Sequence, residues 1–396
     1  MKLYGLSALS DFWGDFIVYR NLKPADQRLP ALDDLRGKLS LLPGVVPRKN
    51  ESDYARVVVE ILEQARKLTA PGADIRRVIF LGDTRLLDST AFANICAAGG
   101  WPGIAFIGAE APRMGEAPSM GEAPRMGETS APPNVELETM SGGQVLYLSN
   151  RWAALDDTFR EFVAAQGFPI DEHTALLIDM DKTALGARGR NAAVIDNVRV
   201  QAVEETVAGL LGEDFDPQGF RAAYDLLVQP EFHPFTGDNQ DYLAYTCLVL
   251  GSGLEKLDRL AGRIRVGEMR EFRQFIAEVD ARSSALSPSL AAIHKEIFTN
   301  VRAGDPTPFK PFRYNEFRIT SARMGCLPDE APLAQFLGEE ILLTREVRDL
   351  ALDWRARGAL VFGLSDKPDE ASLPTPELAA QGYVPLHRKQ THTVGV

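Results

Sequence analysis

The chain has 396 residues, 45% of them hydrophobic and 25% charged, with a formal net charge of −12. That length exceeds one ordinary core, and the composition is that of a soluble globular protein with about two or three parts or a large insertion. Acidic residues are spread along the whole chain, so its field repels polyanions and argues against nucleic acid or an anionic membrane as partner.

Cys96, Cys247 and Cys326 lie far apart without a CxxC pair. They are expected to be buried thiols in a reducing cytoplasm. The opening MKLYGLSALSDFWGDFIVYR is interrupted by Asp11 and Asp15 and reads as neither signal peptide nor membrane span.

Helical spacing over 54–68 leads into the apolar run VIFLGD (78–83), a second helix is expected over 89–98, and GIAFIG follows as another strand. Short apolar runs alternating with helices are the pattern of a parallel sheet covered on both faces. From 111 to 128 the chain reads APRMGE, APSMGE, APRMGE, a Pro- and Gly-rich repeat without apolar periodicity, expected as a solvated loop over 111–134. Strands then resume at VLYLS and ALLID (175–179), with a helix over 152–166 between them.

Over 191–340 the spacing of apolar residues turns helical throughout, as in VQAVEETVAGLL and MREFRQFIAEV. A helix over 344–357, the strand ALVFGLS and an extended piece over 383–396 complete the chain. The expected organisation is an α/β core from 1–110, 135–190 and 341–396, with an all-helical insertion at 191–340. Its sheet would be doubly wound, with about five parallel strands.

The strongest local signal is LLIDMDKTALG, in which an apolar strand runs into Asp179, Met180 and Asp181. Two carboxylates at the carboxyl end of a parallel strand stand at the mouth of the sheet and are costly without a cation, which suggests Mg²⁺. The plainer reading is an acidic strand-to-helix turn with Asp181 as a cap.

This run resembles the first motif of the haloacid-dehalogenase-like hydrolases, an apolar strand followed by DxDx(T/V). The resemblance implies that Asp179 attacks phosphorus and that Asp181 protonates the leaving oxygen and then activates water. It favours phosphoryl transfer, since the family's dehalogenases lack the second aspartate. REVRDLALDWRARGALVFGLSDKPDEA is similar to the family's second motif and implies Ser365 as the phosphoryl-binding hydroxyl, with Thr320 or Ser321 in FRITSARMG as weaker rivals.

The remaining motifs stand at the other end of the chain. RVIFLGDTRLLDSTAFANICAA resembles the fourth motif through Gly82, Asp83 and Asp88. PRKNESDYARVVVEILEQ resembles the third through Lys49, with Arg48 and Lys67 as lesser substitutes. Alone, GDxxxxD is a common turn. The likeness spans about 42–108, 175–185 and 344–371 in circularly permuted order, which strand adjacency tolerates because spatial neighbourhood and not chain order assembles a site.

The resemblance therefore implies a Rossmann-like core with an α-helical cap that hydrolyses a small phosphorylated substrate. Mg²⁺ would sit on Asp179, Asp83 and the Asp181 carbonyl, with Asp88 beside it and Lys49 offsetting charge. Transfer to an alcohol on the same site, or a silent scaffold that binds a protein, are the alternatives. Arg188 and Arg190 would steer an anion or form a solvated hinge. His233, in PEFHPFTGDNQD, would be a cap-loop contact or part of a simple helix connection. Lys182 stands where many members have Gly. The sharpest expectation is that Asp83 and Asp88 lie at the end of the strand next to that of Asp179.

Overall fold

The computed structural model describes residues 1–110 and 134–396; the hexapeptide repeat lies outside the described residues. Among the described residues ten strands follow in chain order: β1 (Lys2–Ser7), β2 (Ile17–Val18), β3 (Arg77–Gly82), β4 (Gly103–Gly108), β5 (Val135–Thr139), β6 (Val145–Ser149), β7 (Thr174–Asp179), β8 (Leu343–Thr344), β9 (Leu360–Leu364) and β10 (Thr391–Gly395). Seven form one sheet in the order β2-β9-β7-β3-β4-β6-β5, and β1-β10-β8 form a second. In the larger sheet only the edge strand β5 runs antiparallel to its neighbour.

Both faces of the central strands are covered, which is why they read as unbroken apolar runs instead of alternating ones. On one face the Ser52–Thr69 helix presents Tyr54, Val57, Val58, Ile61, Leu62 and Ala65 at helical spacing. They join Val78 and Phe80 of β3, Ala175 and Leu177 of β7, and Phe362 and Leu364 of β9 in one cluster. Each large side chain buried there contributes roughly 1.5–3 kcal/mol, so a charge at Val58 would undo the packing. Phe106, Phe159 and Trp354 make another aromatic run, with centroids 5.2 Å and 6.3 Å apart.

The chain divides into two compact units, Met1–Asn197 with Thr320–Val396, and Val198–Ile319. The second is helical and is held internally by the buried pair Arg313–Asp241 (2.5 Å), with Glu316 2.6 Å from the same guanidinium. It is shorter than the expected 191–340, because residues 191–197 and 320–340 pack with the α/β unit. There the buried Glu340 accepts the backbone N–H groups of Gly325, Cys326, Leu327 and His392 at 3.0–3.1 Å and so ties that stretch to β10.

Three further expectations are corrected. The helix over 152–166 is a 3-10 turn (Trp152–Leu155) followed by Thr158–Ala165. The extended piece at the end contributes β10 to the second sheet, not to the first. Cys326 is exposed, whereas Cys96 and Cys247 are buried. Among the described residues no helix is long and apolar enough to cross a membrane.

Candidate active site

Three neighbouring strands deliver the site. Asp179 closes β7 and stands opposite Leu364 of β9, so Ser365 is the next residue on one side. On the other side Leu81 of β3 pairs with Ile178, so the Gly82–Asp83 step lies beside Asp179. The structure thus brings Asp83 and Asp88 to the strand next to that of Asp179, at the carboxyl edge where open α/β sheets bind ligands.

Lys49 arrives from a turn before the Ser52–Thr69 helix. Glu51 N–H donates to the Arg48 carbonyl at 2.8 Å, and Asn94 Nδ2 holds the Asn50 carbonyl at 3.0 Å. The Lys49 ammonium lies 2.5 Å from Asp179 Oδ1 and 2.8 Å from Asp88 Oδ1. Arg48 and Lys67, the lesser substitutes, are exposed.

The glycine of GDxxxxD has a steric cause. A Cβ on Gly82 would fall 2.7 Å from Asp88 Oδ2, because the carboxylate folds back over the strand end to accept the N–H groups of Asp83 (3.0 Å) and Thr84 (2.9 Å). Asp88 therefore shapes the turn that presents Asp83. Asp83 is held in turn by Thr84 Oγ1 (3.1 Å) and by Arg188 Nε (2.5 Å).

Oxygens of Asp83, Asp88 and Asp179 all lie within 4.8 Å of one another, and all three residues are buried. Burial pushes the Asp179 carboxyl well above the usual carboxylate range; Lys49 pulls it down without undoing this, and Asp88 and Asp83 add to the push. Burial and then Asp88 raise Asp83 against Arg188. Burial would raise Asp88 too, but Lys49 and the two N–H groups outweigh it and hold it low. Burial also works against the Lys49 charge, and Asp179 and Asp88 more than reverse it.

With all three ionised, three carboxylates would face two cations, Lys49 and Arg188, and the surplus negative charge in a poorly solvated place would call for a further cation. Closely grouped hard oxygen donors with surplus negative charge are a donor set that fits Mg²⁺.

Past β7 the backbone turns back on itself: Leu185 N–H donates to the Met180 carbonyl at 2.9 Å and Lys182 N–H to that of Leu185 at 2.7 Å. This requires φ of +65° at Lys182, the left-handed region that glycine enters freely. Its ammonium pairs with Asp196 at 2.8 Å. Asp181, half-buried, stands outside the carboxylate triad, with Lys367 Nζ 3.7 Å from its Oδ2. Ser365 is buried, and its hydroxyl oxygen accepts the Lys367 N–H at 3.1 Å.

Lys367 was not among the expected residues. Its signal was present in SDKP, two positions after Ser365, but nothing in that spacing says that a lysine there folds back on the first motif.

Other expectations are placed differently. Arg190 is neither a solvated hinge nor open to an incoming anion: its guanidinium has no exposure and pairs with Glu346 (2.9 Å) and Glu110 (2.8 Å). Arg188, 44% exposed in its side chain, stays at Asp83. His233 belongs to the helical unit, where its Nε2 contacts the Val228 carbonyl at 3.1 Å. Thr320 and Ser321 lie in the Lys310–Ala322 helix and not at a strand end. Compared with models of known protein families, with curated proteins and with solved structures, the chain matches none.

Proposed function

We propose that this protein is a Mg²⁺-dependent phosphohydrolase of the haloacid-dehalogenase-like type, with circularly permuted motifs, acting on a small phosphomonoester. The observation that carries the reading is the adjacency of Ser365, Asp179 and Asp83 at the ends of the neighbouring strands β9, β7 and β3, with Lys49 in contact with Asp179. Four residues that this chemistry uses, distant in the sequence, meet at one sheet edge.

In this mechanism an Asp179 carboxylate oxygen attacks phosphorus, and the bond from phosphorus to the substrate's alcohol oxygen breaks. Asp181 gives its proton to that leaving oxygen. The resulting carboxylate then takes a proton from water, which attacks the aspartyl-phosphate, frees phosphate and restores Asp179.

Ser365, whose oxygen already accepts from Lys367 N, directs its own O–H to a phosphoryl oxygen. Lys49 offsets charge on Asp179 and on the phosphoryl group, and Asp88 holds both Lys49 and the Asp83 turn in place. Lys367, beside Asp181, adds a second cation on the Ser365 side. Asp179, Asp83 and the Asp181 carbonyl would hold Mg²⁺, whose charge would supply electrostatic stabilisation to the transferring phosphoryl group. The helical unit Val198–Ile319, inserted in sequence between Asp179 and Ser365, is read as the cap that selects the leaving group.

The test is a panel of phosphomonoesters assayed with Mg²⁺ and with a chelator. Metal-dependent release of phosphate by the parent, and none by Asp179→Asn, is expected. Turnover that survives this substitution overturns the assignment, and release that appears only with an alcohol acceptor redirects it to a phosphotransferase.

A further inference from the structure

Ser365 and Lys367 stand just past the end of β9, and β7 accompanies β9 only as far as the Asp179–Leu364 pair. Beyond that point the chain is gripped from the other side, by residues 16–21 around the two-residue strand β2. The Gly363 N–H donates to the Phe16 carbonyl at 2.8 Å, the Ser365 N–H to the Val18 carbonyl at 3.0 Å, and the Arg20 N–H to the Lys367 carbonyl at 3.1 Å. The last two bonds carry the parallel β2–β9 pairing onward after β9 itself has ended.

The gripping segment is itself fixed. Val18, Tyr19 and Leu22 are fully buried, and the Tyr19 hydroxyl lies 2.9 Å from His387 Nδ1, whose other ring nitrogen is 3.0 Å from Asp15.

Arg20 closes the grip through its side chain. Its Nη1 lies 2.5 Å from Asp366 Oδ1, and the next residue, Asn21, donates its N–H to Asp369 Oδ1 at 3.2 Å. Asp366 is the residue between Ser365 and Lys367, so the ion pair holds the middle of the turn that supplies both. On one flank the Ser365 hydroxyl accepts the Lys367 N–H at 3.1 Å, and on the other the Lys367 ammonium stands 3.7 Å from Asp181.

As a stabilising contact the pair is worth little. Asp366 is 56% exposed, and an ion pair with one partner that far in water adds little to folding. The same contact decides where Ser365 and Lys367 stand, and a misplacement of about 1 Å around a reacting centre costs about a hundredfold in rate. Loss of the pair is therefore felt in turnover and hardly at all in unfolding.

We propose that Arg20, through Asp366, is a positioning residue for the phosphoryl-binding side of the site, holding Ser365 and Lys367 in register with Asp179 and Asp181. The proposal rests on the phosphohydrolase reading and extends it to a segment that carries none of its motifs.

The test compares the full-length parent with Arg20→Gln, Asp366→Asn and Arg20→Lys in steady-state kinetics on the best substrate of the phosphomonoester panel, in amide hydrogen exchange and in thermal unfolding. Both neutral variants should lower kcat/KM about tenfold or more, with an unfolding midpoint close to the parent's. Exchange at the Ser365 and Lys367 amides should quicken in both, and Arg20→Lys, which keeps the charge, should recover part of the loss. In a Ser365→Ala background Arg20→Gln should cost less than in the parent, because a hydroxyl that is absent cannot be misplaced.

A parent that releases no phosphate from any member of the panel sinks the phosphohydrolase reading and this proposal with it. Parent turnover with kcat/KM unchanged in both neutral variants overturns the proposal alone. So does unchanged exchange at Ser365 and Lys367, or a loss of turnover that only follows a fall in the unfolding midpoint. Should Arg20→Gln not fold, Asp366→Asn, at an exposed position, still decides.

Discussion

The Lys49 ammonium stands 2.5 Å from Asp179 Oδ1, although 130 residues of chain separate them. It also holds Asp88, so one buried cation stands between two buried carboxylates, one at the end of β7 and one in the first turn of the Leu87–Gly99 helix. Lys49→Met is expected to cost about 3–5 kcal/mol of stability, because it leaves both carboxylates without their partner. Denaturant unfolding measures this. Adding Asp179→Asn should make the double variant less destabilised than the sum of the two single changes; strict additivity would show that the two groups do not interact.

Gly82 tests the fourth motif without touching a charge. Gly82→Ala drives a methyl group into Asp88, which must swing away and release the Asp83 turn. The Mg²⁺ concentration for half-maximal turnover should rise about 10–100-fold, as when a residue that supports a metal ligand is displaced. A metal titration that superimposes on the parent's would show that Asp88 does not hold the site in shape.

Lys367 is expected to act on substrate affinity. Lys367→Met should raise KM for phosphomonoesters and lower kcat/KM about tenfold or more, in line with losing a charge-assisted contact to the phosphoryl group. Steady-state kinetics check this, and an unchanged KM would confine Lys367 to packing.

The second sheet carries a pH dependence of its own. His392 lies between Asp329 (3.0 Å) and Glu340 (2.8 Å); burial works against its charge, but the two carboxylates outweigh burial and raise its pKa above the ordinary 6.5. A folded pKa above the unfolded one gives stability that is complete below 6.5 and is lost as pH rises through the raised value. Burial opposes ionisation of Glu340 too, yet the N–H groups and His392 hold it below 4.5, so its contribution is present above 4.5 and is lost as pH falls through the lowered value. Unfolding of His392→Gln across pH should therefore lack the parent's alkaline decline. Parallel profiles above pH 6.5 would contradict this origin.

Much of the core was legible because its signals are local. Four to six apolar residues between turn residues gave β3, β4, β6, β7 and β9, and helical spacing gave Ser52–Thr69, Leu87–Gly99 and Arg345–Ala356. Asp83, Asp179 and Ser365 could be named because each stands where an apolar strand run ends, whereas Lys49, in a turn before one helix, and Asp88, in the first turn of another, were named through the family resemblance. What escaped depends on long-range pairing. Arg190, two residues from Arg188 and equally polar in the sequence, is buried because Glu110 and Glu346 reach it from distant segments. The edge strand β2, two residues long, owes its existence to β9 and has no pattern of its own. Residues 320–340 carry the same helical spacing as the insertion, and long-range contacts, such as those of Glu340 with His392, of Asn191 with the Leu337 carbonyl and of Phe336 with Val394, tie them to the α/β unit.

The nucleophile is the central claim, and trapping its intermediate tests it most directly. Protein quenched during turnover of a phosphomonoester and reduced with borohydride should show, by peptide mass spectrometry, conversion of Asp179 to the corresponding alcohol, since acyl phosphates are reduced and free carboxylates are not. Reduction at another residue, or steady turnover with Asp179 unmodified, would contradict the account.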